Sequence, residues 1–206
     1  MAQVDDVGET LLRAASDLLA TEGPAALTVR RIAHEAGVST MNVYSRFGSK
    51  DGVVDRLYID GFTRLRNAVS AQSLDDPMED LRACGQAYRR FARDNPTYYA
   101  VMFEGVVPDF RPSPEAKDRA QETLGLLAER LARAMEHGVI ARADPLHTAA
   151  AVWATCHGVV SLEMHGVGPE FIDWAAVYDI ASAAVLAGLA RLAIGPTART
   201  AGTTTT

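Results

Sequence analysis

Cysteine is scarce in this sequence: Cys84 and Cys156 are the only two among 206 residues. Two thiols are too few for a disulfide framework or for a metal site with four cysteine ligands. We therefore expect a protein of a reducing compartment, the cytoplasm. Whether either thiol has a redox or metal-binding role stays open.

Long apolar runs are also missing. No stretch approaches the roughly 18–20 consecutive apolar residues that cross a bilayer, and the first residues, MAQVDD, lack the basic and then apolar blocks of a signal peptide. We expect no membrane partner. With 48% apolar and 22% charged residues, the composition is that of a globular protein.

Motifs of enzymes and metal sites are absent as well. The sequence has no Gly-rich phosphate loop, no nucleophile elbow and no His-x-x-x-His pair. His157 and His165 would be about 12 Å apart along a straight helix, too far to share one ion. A nucleophilic Cys–His pair remains an alternative, although buried free cysteines are usually inert. We expect no catalytic residue, no metal and no cofactor.

Strand signals are almost absent, whereas helix boundaries are frequent. Apolar residues such as Val7, Leu11 and Leu18 recur at helical spacing. Residues that can cap a helix, or Pro in a first turn, recur along the chain. They are Thr28, Ser39, Ser49, Asp76-Pro77, Asn95-Pro96, Ser113-Pro114 and Asp144-Pro145. We predict an all-α protein of about nine helices.

The net charge of −6 hides a local excess of basic residues. Residues 28–66 carry seven basic and four acidic side chains, so this segment is +3 and the remainder −9. Fields between exposed charges act only within about 8–10 Å at physiological salt. The segment can therefore bind phosphate although the whole chain is acidic.

Residues 28–51 read TVRRIAHEAGVSTMNVYSRFGSKD and predict two short helices joined by a tight turn. Gly37 permits the positive φ that such a turn needs. Five apolar positions would pack the pair against the first helix: Ile32, Ala33, Val38, Val43 and Phe47. This is the pattern that a helix-turn-helix requires, in which the second helix stands out for the DNA major groove. A helix pair with only a structural role is the alternative.

The second helix of this pair would read base edges. Asn42 can bond adenine and Arg46 can bond guanine, each in bidentate geometry, while Thr40 and Met41 suit a thymine methyl. Tyr44, Lys50 and the backbone N–H groups after Thr28 suit phosphates. The predicted DNA-binding residues are Thr28, Arg30, Ser39, Thr40, Met41, Asn42, Tyr44, Ser45, Arg46 and Lys50.

The same residues closely resemble the N-terminal domain of TetR-family transcriptional regulators. The shared pattern is Ile32-Ala33-x-x-Ala36-Gly37-Val38-Ser39, then Tyr44-x-x-Phe47 and Ser49-Lys50-Asp51, within about residues 7–56. Met41-Asn42 stands where many members have Gly and a small residue, which affects the operator that is read. The resemblance implies a repressor of transcription bound to a pseudo-palindromic operator in double-stranded DNA.

Residues 145–194 are poor in charge, with 10% acidic and basic residues against 22% in the whole chain. Helices that are apolar beyond one stripe must be buried on more than one face. We predict that the last two helices form a homodimer interface. Small residues would allow close approach there: Ala149 to Ala151, Ala181, Ala183, Ala184 and Gly188.

Two further motifs resemble the "WHG" C-terminal domain of some TetR-family regulators, over roughly residues 78–190. They are Trp153-x-x-x-His157-Gly158 with Leu162-Glu163, and Asn95-Pro96-x-Tyr98-Tyr99-x-x-Met102-Phe103. The resemblance implies a domain that responds to an unidentified small-molecule effector. The predicted effector pocket comprises Tyr88, Phe91, Tyr98, Tyr99, Met102, Phe103, Trp153 and His157. Ordinary core packing is the alternative for each.

We predict a DNA-binding domain over residues 1–56, an effector-binding and dimerisation domain over 57–195, and a disordered tail over 196–206. The helix that begins at Ser49 would link the two domains and carry effector-induced tilt to the DNA-binding end. Two other functions stay open. One is a helical ligand-binding or carrier protein with vestigial DNA reading, and the other is a helical enzyme that uses Cys or His.

Overall fold

A computed structural model describes residues 6–71 and 73–194, which contain nine α-helices, one short 3-10 helix at Pro24–Ala26, and no strand. The helices are α1 (Asp6–Glu22), α2 (Val29–Glu35), α3 (Thr40–Phe47), α4 (Lys50–Ser70), α5 (Pro77–Asp94), α6 (Pro96–Phe103), α7 (Pro114–Glu136), α8 (Pro145–Met164) and α9 (Trp174–Ile194). The predicted all-α fold and the helix count are confirmed. The predicted tail, residues 196–206, lies outside the described residues.

Side chains cap several helices where the sequence predicts a start. The Arg31 N–H donates to Thr28 Oγ1 at 3.2 Å, and the Gly52 N–H donates to Ser49 Oγ at 3.1 Å. Each bond satisfies an amide that the first turn of a helix leaves without a partner. Ser39 is the N-cap residue of α3, as predicted, but its hydroxyl makes no cap bond and instead accepts from Asn42 Nδ2.

The described residues form two compact units. The first unit lies within Met1–Ala71 and Gln86–Leu126, and the second within Gln72–Gly85 and Leu127–Thr206. The divisions fall inside α5 and α7. Each unit is therefore built from two separate stretches of the chain.

The core of the first unit joins α1, α2, α3 and α4, with residues of α6 packed against them. Its buried residues include Leu11 and Leu18 of α1 and Leu57 of α4. The positions predicted to hold the helix pair take part: Ile32, Ala33 and Val43 are buried, while Val38 and Phe47 pack at the margin. This core fixes α3 relative to α1 and α4.

In the second unit, α8 packs on α9, and polar groups tie the start of α5 to the end of α7. Asp80 is only 2% exposed. Its Oδ1 accepts the Leu74 N–H at 2.9 Å, and its Oδ2 accepts Arg133 Nη2 at 2.8 Å. Arg130 Nε lies 3.1 Å from the same carboxylate. This buried carboxylate therefore faces two guanidinium groups.

Much of α8 and α9 is apolar yet exposed. Residues Trp174–Arg191 of α9 are long and apolar enough to cross a membrane, by length and composition alone, and 11% of this window is buried. The exposed small residues recur at helical spacing, which places them along one side of each helix. They are Ala151, Ala154 and Gly158 in α8, and Ala176, Ala183, Ala184, Ala187 and Gly188 in α9. We call this surface the small-residue stripe. Ala149, predicted to serve the dimer, is fully buried within the chain.

Candidate nucleic-acid interface

The turn between α2 and α3 sets the direction of the helix predicted to read DNA. Gly37 has φ +67°, as the sequence predicts, and its N–H donates to His34 O at 3.0 Å. The Val38 N–H then donates to Ala33 O at 2.9 Å. L-residues with a side chain rarely adopt this φ, so the turn favours glycine.

The turn between α3 and α4 depends on a second glycine that sequence reasoning missed. A Cβ on Gly52 would lie 1.8 Å from the carbonyl oxygen of Phe47. The chain can therefore leave α3 and enter α4 this tightly only because Gly52 has no side chain. Glycine is unfavourable inside a helix, so its presence in the first turn of α4 was the signal in the sequence that a side chain there would clash.

The exposed side of α3 carries most of the predicted base-reading residues. Val43 is fully buried and anchors the helix in the core. Met41 is 70% exposed and Tyr44 is 54% exposed. Thr40 and Ser45 are also exposed, while Asn42 is half-buried. Met41 and Tyr44 therefore present large apolar groups to solvent on this helix.

Apart from Tyr44, which lies in the middle of α3, the predicted phosphate contacts lie at helix starts. Thr28 and Arg30 are exposed at the beginning of α2. Lys50 opens α4, and its partly exposed side chain forms an ion pair with Asp51, with 3.7 Å between Nζ and Oδ1. Backbone N–H groups at a helix start attract anions through the helix dipole, and a nearby cation adds to that attraction.

Three predicted residues of α3 and its N-cap are bonded to one another. Asn42 Nδ2 donates to Ser39 Oγ at 3.2 Å, and Arg46 Nη1 donates to Asn42 Oδ1 at 2.9 Å. The Ser45 hydroxyl donates to the Asn42 carbonyl at 3.3 Å. The side-chain amide of Asn42 is therefore held from both sides.

Arg46 extends toward α1. Its Cδ would lie 3.9 Å from a Cβ placed on Gly8. It lines an open cavity of about 1190 Å³ within the first unit, together with residues of α1 and α4 that include Arg13, Asp17, Arg56 and Asp60. Opposite charges alternate around this cavity, so it is a polar groove and differs from the apolar pocket expected for an effector.

The eight residues of the predicted effector pocket divide between the units. The first unit holds six of them: Tyr88, Phe91, Tyr98, Tyr99, Met102 and Phe103. The Tyr88 and Tyr99 hydroxyl oxygens are 3.5 Å apart, and the Tyr99 and Phe103 ring centroids are 5.0 Å apart. Burial raises the pKa of Tyr99 to about 12. These aromatic side chains form a cluster with one buried polar pair.

Trp153 and His157 belong to the second unit, where their ring centroids are 5.3 Å apart. The two rings contact each other one helical turn apart, as their spacing of four predicts. The same unit contains both cysteines, which are buried and free, and burial raises the pKa of each thiol. In the described part of the chain, no three His, Cys, Asp or Glu residues group to hold a metal ion.

Known proteins match both parts of the chain. The family model for bacterial regulatory proteins of the tetR family matches residues 11–57, and that for the tetracyclin repressor-like C-terminal domain matches residues 81–194. HTH-type transcriptional regulator Rv1816 of Mycobacterium tuberculosis is 26% identical over 132 residues. That match covers 61% of this chain and 56% of the relative, so the chain spans little more than half of that protein.

Solved structures share the fold over most of the chain. A protein of unknown function from Rhodococcus sp. RHA1 has a TM-score of 0.79 and 25% identity, over 90% of this chain and 96% of that one. The TetR-family transcriptional regulator PfmR from Thermus thermophilus has a TM-score of 0.64 and 22% identity, over 88% and 97% of the two chains. The two family models and the curated relative are those of transcriptional regulators, not of an enzyme. Because one family model alone covers more than half of its residues, the chain belongs to the TetR family of DNA-binding transcriptional regulators.

Proposed function

We propose that this regulator is a homodimeric repressor that binds a pseudo-palindromic operator through α3 and leaves it when a small-molecule effector binds. The observation that carries DNA reading is the exposed side of α3, with Met41 and Tyr44 in solvent on a helix anchored by Val43. Lys50 and Arg30 supply cations at the starts of the flanking helices. Such a helix fits the major groove, and the cations fit the phosphates beside it.

The small-residue stripe supports the homodimer. Its Ala and Gly side chains are short, so a partner helix can approach the backbones of both α8 and α9. Ile180 beside the stripe is 69% exposed. A second copy of the chain presents the same stripe, and small residues let helices approach to the short end of the usual 8–10 Å. A twofold dimer also supplies two copies of α3 for half-sites about 34–36 Å apart.

Contacts of α4 support the release step. Asp55 accepts both the Ser113 N–H at 2.8 Å and the Ser113 hydroxyl at 2.7 Å, which ties α4 to the start of α7. Further along α4, a Cβ on Gly61 would lie 2.6 Å from Met102 Sδ of α6, so these helices are in close contact. A ligand that displaces α6 or α7 would therefore move α4, whose first turn adjoins α3.

Sequence-selective DNA binding is the test of the central proposal. Genomic fragments bound by the full chain are selected, and affinity is then measured by fluorescence anisotropy across a salt series with a scrambled competitor. We expect selective binding that Tyr44→Ala and Lys50→Ala weaken, and a salt slope that Lys50→Ala lowers by about one unit. Arg82→Ala, which removes an exposed cation of the second unit, is the control.

The outcome separates the proposal from its rival. Equal affinity for selected and scrambled DNA would contradict DNA reading and favour a ligand-binding or carrier protein. For the release step, small apolar molecules that raise the melting temperature are added to the operator complex. A compound that binds tightly and leaves operator affinity unchanged would contradict effector release.

A further inference from the structure

The side-chain amide of Asn42 has a fixed orientation. A guanidinium N–H can only donate, so the amide atom that faces Arg46 must be the oxygen. The nitrogen accordingly faces the Ser39 hydroxyl. The two contacts, at 2.9 Å and 3.2 Å, approach the amide from opposite ends. The hydroxyl can donate or accept, so the guanidinium alone decides the orientation.

These contacts leave the amide with the groups that adenine needs. A carboxamide has two N–H donors and an oxygen with two lone pairs, and each contact uses one of them. One N–H and one lone pair remain. In the major groove adenine offers the N7 acceptor and the N6 donor, which a carboxamide pairs in bidentate geometry.

One guanidinium N–H of Arg46 is engaged in this role. Its guanidinium donates to Asn42, and its aliphatic stem extends toward α1 beside Gly8. The Ser39 hydroxyl, which makes no cap bond, serves the other end of the amide. We propose that Ser39 and Arg46 are positioning residues that orient the Asn42 amide to read one adenine per half-site, and that Arg46 reads no base itself. This rests on the proposed DNA reading and revises the guanine contact expected for Arg46.

The test measures discrimination at every base pair of the selected operator. Anisotropy is recorded for the full-length chain and variants against operators with each base pair changed in turn. Asn42→Ala is expected to lose about tenfold discrimination at one A·T pair per half-site. Arg46→Met, which keeps the stem, and Ser39→Ala should reduce discrimination at that same pair. Neither should add to the loss when combined with Asn42→Ala.

Arg13→Ala is the matched control, since Arg13 is exposed and lines the same groove without bonding Asn42. It should leave the pattern of discrimination unchanged. If Arg46→Met instead changed discrimination at a G·C pair, Arg46 would be a base reader and the inference would be wrong. Uniform weakening with a lower salt slope would make Arg46 a phosphate contact, which would equally contradict the inference. If the unmodified chain itself showed no sequence preference, the proposed function would be wrong as well.

Discussion

The helices at the two ends of the chain differ in how they use apolar residues. The short helices α2 and α3 point most of theirs inward, where Ile32, Ala33 and Val43 complete a core within the first unit, and they expose Met41 and Tyr44. The long helices α8 and α9 are apolar on nearly all sides and leave the small-residue stripe and Ile180 exposed. The first region buries most of its apolar residues within its own unit, whereas the second leaves apolar surface exposed, which is where we propose that the homodimer forms.

The largest expected effect comes from charging the small-residue stripe. Ile180→Glu combined with Ala184→Glu would place two carboxylates on the exposed side of α9. We expect the dimer to dissociate to monomers and operator affinity to fall about 100-fold or more, because the two half-sites are then no longer bound together. Sedimentation velocity and anisotropy measure the two effects.

Leu74→Glu provides the control for this experiment, since it puts the same charge on an exposed leucine outside α8 and α9. It should leave the dimer intact. Helix content of the double variant, measured by circular dichroism, should also match the unmodified chain. A double variant that remains dimeric would show that another surface holds the two copies together.

The next effect concerns the interior of the second unit. Asp80→Asn keeps the shape of the side chain but removes the negative charge beside Arg130 and Arg133. We expect the free energy of unfolding to fall by about 3 kcal/mol, because breaking a buried ion pair leaves the remaining charge poorly compensated. Urea denaturation at fixed protein concentration measures this. Glu79→Gln, which breaks the exposed pair with Arg82, should cost less than about 1 kcal/mol.

A smaller effect is expected at the turn of the first unit. Gly37→Ala meets no neighbouring atom within 4 Å, so its cost is the backbone strain at φ +67°, about 1–2 kcal/mol of unfolding free energy. Gly125→Ala, inside α7 and equally open, should instead stabilise the protein by about 0.5–1 kcal/mol. Equal effects of the two changes would show that strain at Gly37 is absent.

The sequence predicted the local features of the fold best. Thr28, Ser49 and Gly37 act through neighbours a few residues away, so spacing and residue type sufficed. The buried carboxylate of Asp80 was not predicted, because Arg133 lies 53 residues away and such contacts have no sequence period. The cap at Asp173, which accepts the Ala175 N–H at 2.9 Å, was also missed.

At the candidate site, too, spacing along the chain predicted which residues face outward but not how their side chains are bonded. The outward residues of α3 followed from helical spacing. The bonds that join Ser39, Asn42 and Arg46 depend on side-chain rotamers, which spacing does not specify. Trp153 and His157 belong to a different unit from the other six residues of the predicted effector pocket, a division that spacing along the chain does not reveal.

The smallest expected effect is no change at all in the accessibility of the cysteine thiols when the stripe is uncovered. It tests whether the side of α8 opposite the small-residue stripe stays buried. Cys156 lies on α8, but on the side buried with Val152 and Val160 and not in the small-residue stripe. Burial raises the pKa of both thiols, so less thiolate is present near neutral pH than in a free cysteine, and access is also blocked. We expect iodoacetamide to label Cys84 and Cys156 roughly 100-fold more slowly than an exposed thiol. The double variant Ile180→Glu, Ala184→Glu should keep this protection, because dissociation uncovers the stripe and not the core. Rapid labelling in that monomer alone would mean that the partner also holds α8 and α9 together, and the two surfaces of these helices could no longer be treated as independent.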